Sequence, residues 1–193
     1  MPHADTSYIP STIHTKSEIW AHIYLQLQAL FEDQRNWVSN LANASSLIYN
    51  SLLAFPPQFG SAENAVNWCG FYLNSSLFPT RKNIPKPDNR LLLGPFCGRP
   101  ACQFINVTPG HGRGVCADAY MQKQTLVVPN VADYAGHIAC DGDTKSELVC
   151  PLLLGGVAIG VLDLDCVALE GFSAEDQEGV EKVAELIVAS CDW

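Results

Sequence analysis

Eight cysteines and one short run of acids carry most of the chemical content of this 193-residue chain. The cysteines are Cys69, Cys97, Cys102, Cys116, Cys140, Cys150, Cys166 and Cys191. Cys102, Cys116 and Cys140 lie in Gly- and Pro-rich stretches that read as loops, where a thiol is reachable and can do redox chemistry. Cys69, Cys150 and Cys166 lie in apolar runs and read as small buried hydrophobes. No C-x-x-C occurs and no His sits at finger spacing from a Cys pair, so no metal centre is expected. Asp163 and Asp165 interrupt the apolar run Gly160-Val-Leu-Asp-Leu-Asp-Cys166. Two residues apart on a strand, they share a face. Either they sit at a solvated strand end or against Lys or Arg, or they line a pocket that holds a cation such as an ammonium, since unpaired buried carboxylates are costly. Glu147 opens the neighbouring apolar run. A hairpin about Gly155-Gly156 places its partner near residue 164, within two positions, which brings the three acids together.

Further signals are weaker. His137, three residues before Cys140, either lowers a neighbouring thiol's pKa or is a surface histidine. Gly110-His-Gly-Arg-Gly114 lacks the spacing of a phosphate loop and reads as a turn. Trp68 and Tyr72, on one face of the run Asn67–Leu73, give an aromatic surface; Cys69, Phe71 and Leu73 take the other face. Together these residues suit a small amine-bearing ligand with an apolar tail that undergoes a two-electron thiol reaction.

The elements that must position them follow from periodicity. Residues 1–16 read as a loose, flexible arm, and 17–193 as one domain. A helix opens near Ser17 with Ile19, Ile23, Leu27 and Leu30 on one stripe, and a second covers Asn36 to Ala54 and ends at Pro56-Pro57. From Asn67 the period is two. Strands are expected at 67–73, 91–96, 125–128, 147–154 and 157–167, with a polar loop or hairpin at 74–90, an irregular stretch at 97–115 and a short helix at 116–123. Ser173 and Asp176 frame the start of a last helix striped by Val180, Val183, Ala184 and Ile187. The order and the Gly-Gly hairpin argue for an α+β fold with a central antiparallel sheet, flanked by N-terminal and C-terminal helices.

Composition narrows the partners. Twenty acidic residues against eleven basic ones give a net charge of −9, which disfavours nucleic acid and anionic membrane surfaces. No run reaches the length of a membrane span, and the N-terminus lacks the basic and apolar regions of a secretory signal, so a cytoplasmic location is expected.

Seven segments resemble the free methionine-(R)-sulfoxide reductase family, single GAF-domain enzymes: Asn67-Trp-Cys-Gly-Phe-Tyr72, Leu93-Gly-Pro-Phe96, Pro100-Ala-Cys102, Gly112-Arg-Gly-Val-Cys116, Gly136-His-Ile-Ala-Cys-Asp141, Lys145-Ser-Glu147 and Gly160-Val-Leu-Asp-Leu-Asp165. Asn40–Ile48 is also similar to the family's second helix. The resemblance implies a GAF domain that reduces free L-methionine-(R)-sulfoxide with no bound cofactor. It implies Cys140 as nucleophile, Cys102 as resolving thiol, Cys116 as auxiliary or alternative partner, and thioredoxin as external reductant. It further implies that Trp68 and Tyr72 box the S-methyl group, Asp163 holds the amino group, and Glu147 and Asp165 polarise and protonate the sulfoxide oxygen. A homodimer is compatible with this fold. The chain departs from the pattern at a longer 106–111 segment, at Ala117-Asp118, and at Cys97, which stands where Gln is usual and is a rival for the disulfide. The alternative is a GAF module that binds a small ligand or senses oxidants without turnover. The chain's length favours the enzyme, because a sensor comes with an output domain.

Overall fold

The computed structural model describes residues 9–56, 58–60, 62–79, 89–138 and 140–193. Two helices come first, α1 (Lys16–Leu30) and α2 (Trp37–Leu53), followed by β1 (Val66–Asn74), β2 (Arg90–Gly98), β3 (Phe104–Asn106), α3 (Val115–Gln122), β4 (Leu126–Val128), β5 (Ser146–Leu154), β6 (Val157–Cys166) and α4 (Ala174–Ala189). All strand pairs are antiparallel, in the order β3-β2-β1-β6-β5-β4. The α+β expectation holds. Residues 1–8 of the expected arm and 80–88 of the expected loop lie outside the described residues, while Ile9 and Ile13 pack against the core.

The period-two pattern splits each strand between two environments. Cys69, Phe71 and Leu73 of β1, Leu148, Cys150 and Leu152 of β5, and Leu162, Leu164 and Cys166 of β6 face one core with α1, α2 and α4. Trp68, Tyr72, Val149 and Val161 face a smaller core covered by α3. α1 is tied to α4 through Asp176, whose carboxylate accepts from Lys16 Nζ (2.6 Å), Trp20 Nε1 (2.9 Å) and Ser173 N (2.7 Å). The last contact fixes the helix start that the Ser173/Asp176 spacing implied.

The stretch read as irregular at 97–115 contains β3, three residues pairing with Arg90, Leu91 and Leu92. Phe104-Ile-Asn106 has too few residues to show alternation, so only the neighbouring edge reveals it. β2 runs to Gly98, longer than expected, and so includes Cys97.

Three register irregularities shape the site. In the β5–β6 hairpin, Gly155 and Gly156 hold φ of 58° and 80°, the left-handed pair that a tight hairpin turn requires. Leu153 pairs with Ala158 but Leu152 with Gly160, so Ile159 is an extra residue on β6. The partner of Glu147 is therefore Asp165 rather than 164. On β1, Asn67 is likewise extra between the Val66–Cys166 and Trp68–Asp165 pairs. On β2, Gly94 and Pro95 stand opposite Phe71 alone.

Candidate active site

The smaller core opens into a cavity of about 210 Å³ lined by the eight site residues that the resemblance implies: Trp68, Tyr72, Cys102, Cys116, Cys140, Glu147, Asp163 and Asp165. β1, β5 and β6 supply the aromatics and acids, α3 supplies Cys116, and Pro100, Ala101 and Cys102 with His137, Cys140, Asp141 and Thr144 form the rim. The extra residue at Ile159 is decisive. With Asp165 across from Glu147 and Asp163 across from Val149, all three carboxylates point to the α3 side.

The aromatic wall is a stack. The Trp68 ring lies 5.8 Å from Tyr72 and 5.5 Å from Phe96, near parallel to both. Gly70 lies between them, where a Cβ would collide with Phe96 and the Trp68 ring. Tyr72 Oη donates to the carbonyl of Cys102 at 3.0 Å, which links β1 to the rim. Burial, reinforced by the charge of Asp163, pushes the Tyr72 phenol well up, so it remains a donor. Trp68 Nε1 is buried with no partner.

The rim carries the thiols. Cys102 and Cys140 are joined in a disulfide, with Cα atoms 5.8 Å apart, inside the range an unconstrained bridge needs. Cys140 is exposed and Cys102 half-buried. Asp141, next to Cys140, is held by Asn67 Nδ2 (3.1 Å) and Arg99 Nη1 (3.1 Å), and Asn67 also donates to Thr144 Oγ1 at 2.9 Å. The irregularity at Asn67 thus turns that side chain toward the cysteine loop. Backbone donation from Asp143 leads the effects that hold the Asp141 carboxyl below its ordinary range.

The floor is acidic. Glu147 and Asp163 are each 6% exposed. Cys116 Sγ donates toward Asp163 Oδ2 at 3.3 Å, with Glu147 Oε1 at 3.8 Å. Asp163 Oδ1 has no partner, and no Lys, Arg or His pairs with Asp163 among the described residues. Burial, then the charges of Asp165 and Glu147, push the Asp163 carboxyl well up. Burial and then Glu147 do the same to Asp165, against a hydrogen bond from Thr144. The Cys116 thiol is pushed up by burial and then by Asp163, in keeping with its donation to that carboxylate.

Two expectations change. The expected place of His137 is beside a thiol or at the surface; its Nε2 lies 3.4 Å from Glu147 Oε2 instead. Cys97 pairs with Cys69 across β1–β2, on the helix-facing side of the sheet. It is absent from the pocket wall and is a free thiol here, the disulfide joining Cys102 to Cys140. Asn67, Arg99, Thr144 and the His137–Glu147 contact escaped the sequence reading. The signal that points to them is the set of quoted segments: Asn67 opens Asn67–Tyr72, His137 lies within Gly136–Asp141, and Thr144 precedes Lys145–Glu147.

A family model described as the GAF domain matches residues 61–190. The chain is 42% identical over 190 residues to the free methionine-R-sulfoxide reductase of Saccharomyces cerevisiae, covering 98% of this chain and 94% of that protein. It is 34% identical over 181 residues to the enzyme of that name from Escherichia coli, covering 92% and 93%. The fold superposes on the free methionine-R-sulfoxide reductase of Neisseria meningitidis in complex with its substrate, with a TM-score of 0.77 at 29% identity, over 95% of each chain. By fold and site it is a GAF-domain protein with a Cys102–Cys140 disulfide at its pocket mouth. Within that class, the chain belongs to the free methionine-R-sulfoxide reductase family.

Proposed function

We propose that the protein reduces free L-methionine-(R)-sulfoxide to L-methionine. One observation carries the reading: the Cys102–Cys140 disulfide, the Trp68–Tyr72 stack and three carboxylates open onto one small cavity. Membership of the family supports the same substrate.

In the reduced enzyme the Cys140 thiolate attacks the sulfoxide sulfur. The sulfur–oxygen bond breaks, the oxygen passes to Cys140 as a sulfenic acid, and methionine departs with its sulfur reduced by two electrons. The oxygen needs a proton as its bond weakens. Asp165, whose carboxyl burial keeps raised, supplies it, with Glu147 beside it and positioned by His137. Cys102 then attacks the sulfenic sulfur, water leaves, and the disulfide forms. A thioredoxin-type dithiol returns two electrons and two protons to regenerate both thiols.

Asp163 accounts for a free amino acid as substrate. Its carboxylate is buried and lacks a basic partner among the described residues, and an ammonium relieves the cost of the buried charge. A peptide-bound methionine offers an uncharged amide there. The S-methyl group meets the faces of Trp68 and Tyr72, and the unpartnered Trp68 Nε1 is a donor within the same wall.

The test is methionine release by reduced protein with thioredoxin recycling. The free R epimer, the free S epimer and a peptide-bound sulfoxide are supplied in parallel. Turnover of the free R epimer alone is expected. Inertness toward all three overturns the reading.

A further inference from the structure

The floor of the pocket has the geometry of a cation site that its sequence spacing conceals. Cys116 comes from α3, Glu147 from β5 and Asp163 from β6, and one donor atom from each lies within 4.8 Å of the other two. A tetrahedral zinc ion with Zn–S near 2.3 Å and Zn–O near 2.0 Å sets a sulfur–oxygen edge of about 3.5 Å. The Cys116 sulfur stands 3.3 Å from Asp163 Oδ2 and 3.8 Å from Glu147 Oε1, on either side of that value. Small shifts of side chains already in contact would close the shell.

A second observation points to a ligand rather than to a self-contained cluster. Asp163 is 6% exposed, lines the cavity, and leaves Oδ1 without a hydrogen bond. Buried acids in finished networks have every oxygen engaged, because an orphaned charged oxygen is among the costliest buried groups. The floor carries two carboxylates and a thiol, and the one basic contact to either carboxylate among the described residues is His137 on Glu147. Three protein donors with the fourth position open to a cavity is the arrangement of an exchangeable site, not of a closed structural one. A thiolate with two carboxylates matches borderline-soft ions such as Zn²⁺ and Co²⁺ better than Mg²⁺ or Ca²⁺, which take oxygen alone.

We propose that Cys116, Glu147 and Asp163 form an inhibitory site for Zn²⁺, which excludes the substrate's amino group from Asp163. On binding, the Cys116 S–H bond breaks, its proton passes to solvent, and the sulfur bonds the metal; no electrons move. The coordination stands on geometry alone. The competition with substrate rests on the reductase reading above.

The experiment uses the oxidised protein, in which the Cys102–Cys140 disulfide removes the rim thiols and leaves Cys116 as the pocket's free sulfur. Co²⁺ is titrated as the probe, and its thiolate charge-transfer and tetrahedral d–d absorptions are followed. One equivalent is expected to bind in the wild type. Cys116→Ser loses the charge-transfer band, and Asp163→Asn weakens binding about tenfold or more. Zn²⁺ bleaches the spectrum by displacement. Absence of the band in the wild type overturns the site, and so does its persistence in Cys116→Ser; circular dichroism shows that each variant is folded. Free methionine-(R)-sulfoxide is then added to the Co²⁺ form. Displacement is expected, whereas a band that the sulfoxide leaves untouched in a protein that turns it over overturns the inhibition. A band in a protein inert toward every sulfoxide leaves the metal site standing and removes the reductase reading instead.

Discussion

Asp176 and Asp163 are both buried carboxylates, one on each side of the sheet. Asp176, on the helical side, receives an ammonium, an indole N–H and a backbone N–H, and fastens α1 to α4. Asp163, on the pocket side, receives one thiol and keeps an oxygen unpartnered. Both are buried; their partner lists differ. The cysteines divide in the same way. Cys69, Cys150, Cys166 and Cys191 pack into the helical core, where burial pushes the Cys150 thiol up to about 12. Cys102, Cys116 and Cys140 line the cavity. For these two acids, a complete set of hydrogen bonds goes with fastening helices and an unfinished one with lining the pocket.

The thiols test this contrast most severely. Cys140→Ser is expected to lower methionine formation by about a thousandfold or more. Cys150→Ser is expected to leave turnover near wild type, both read in the same coupled assay. A Cys140→Ser protein that keeps turnover would erase the distinction between the faces.

For the acids, Asp176→Asn removes one partner of a buried ion pair and is expected to cost about 3–5 kcal/mol of stability, measured as a urea midpoint shift. Asp163→Asn is expected to act in the reverse sense. It should raise KM about 30-fold or more, from roughly 2–5 kcal/mol of lost charge pairing with the substrate, while raising the melting temperature of the ligand-free protein. A carboxyl whose pKa folding has raised keeps a proton that the unfolded chain has already released. Its contribution is therefore complete below the ordinary Asp value of about 4 and is lost as the pH rises through the folded value. The melting-temperature gain of Asp163→Asn over wild type should accordingly widen from about pH 4 toward pH 7. A gap that narrows would mean that Asp163 has a cationic partner in the free protein.

The smallest effect is expected at Cys97. Cys97→Ser on the helix-facing side should change stability by no more than about 0.5 kcal/mol and leave the thioredoxin-coupled rate unchanged. A slowed rate would draw the two faces together.

Much of this was legible in the chain. The stripe of Ile19, Ile23 and Leu27, the alternation of Asn67–Leu73 and the Gly155-Gly156 turn each express a local period, and local periods survive without tertiary context. Two of the three acids could be assigned to one face from spacing alone. What stayed hidden depends on pairs distant in sequence. β3 exists only because β2 offers it an edge. His137 reaches Glu147, and Arg99 reaches Asp141, through loops that no periodicity describes. The face of Cys97 is hidden as well, because it depends on a register that its own strand does not contain.

Ile159 carries a consequence for how this chain can vary. As the unmatched residue between the Ala158 and Gly160 pairings, it sets whether positions on β5 and β6 are in phase. Nine residues of β6, Val157 to Asp165, lie against eight of β5, Glu147 to Leu154, and the unmatched Ile159 absorbs the difference. Were all nine paired in order, Leu164, from the opposite face, would stand across from Glu147. Deleting Ile159 would leave Glu147 across from Asp165, because the two arms would then match residue for residue. Near the turn the hairpin can accept many residue types, since side chains such as Val157 are exposed, but a residue added to one strand keeps the three acids together only where a bulge takes it up or the other strand matches it. In this molecule the meeting of the three carboxylates depends on where the hairpin stores its odd residue.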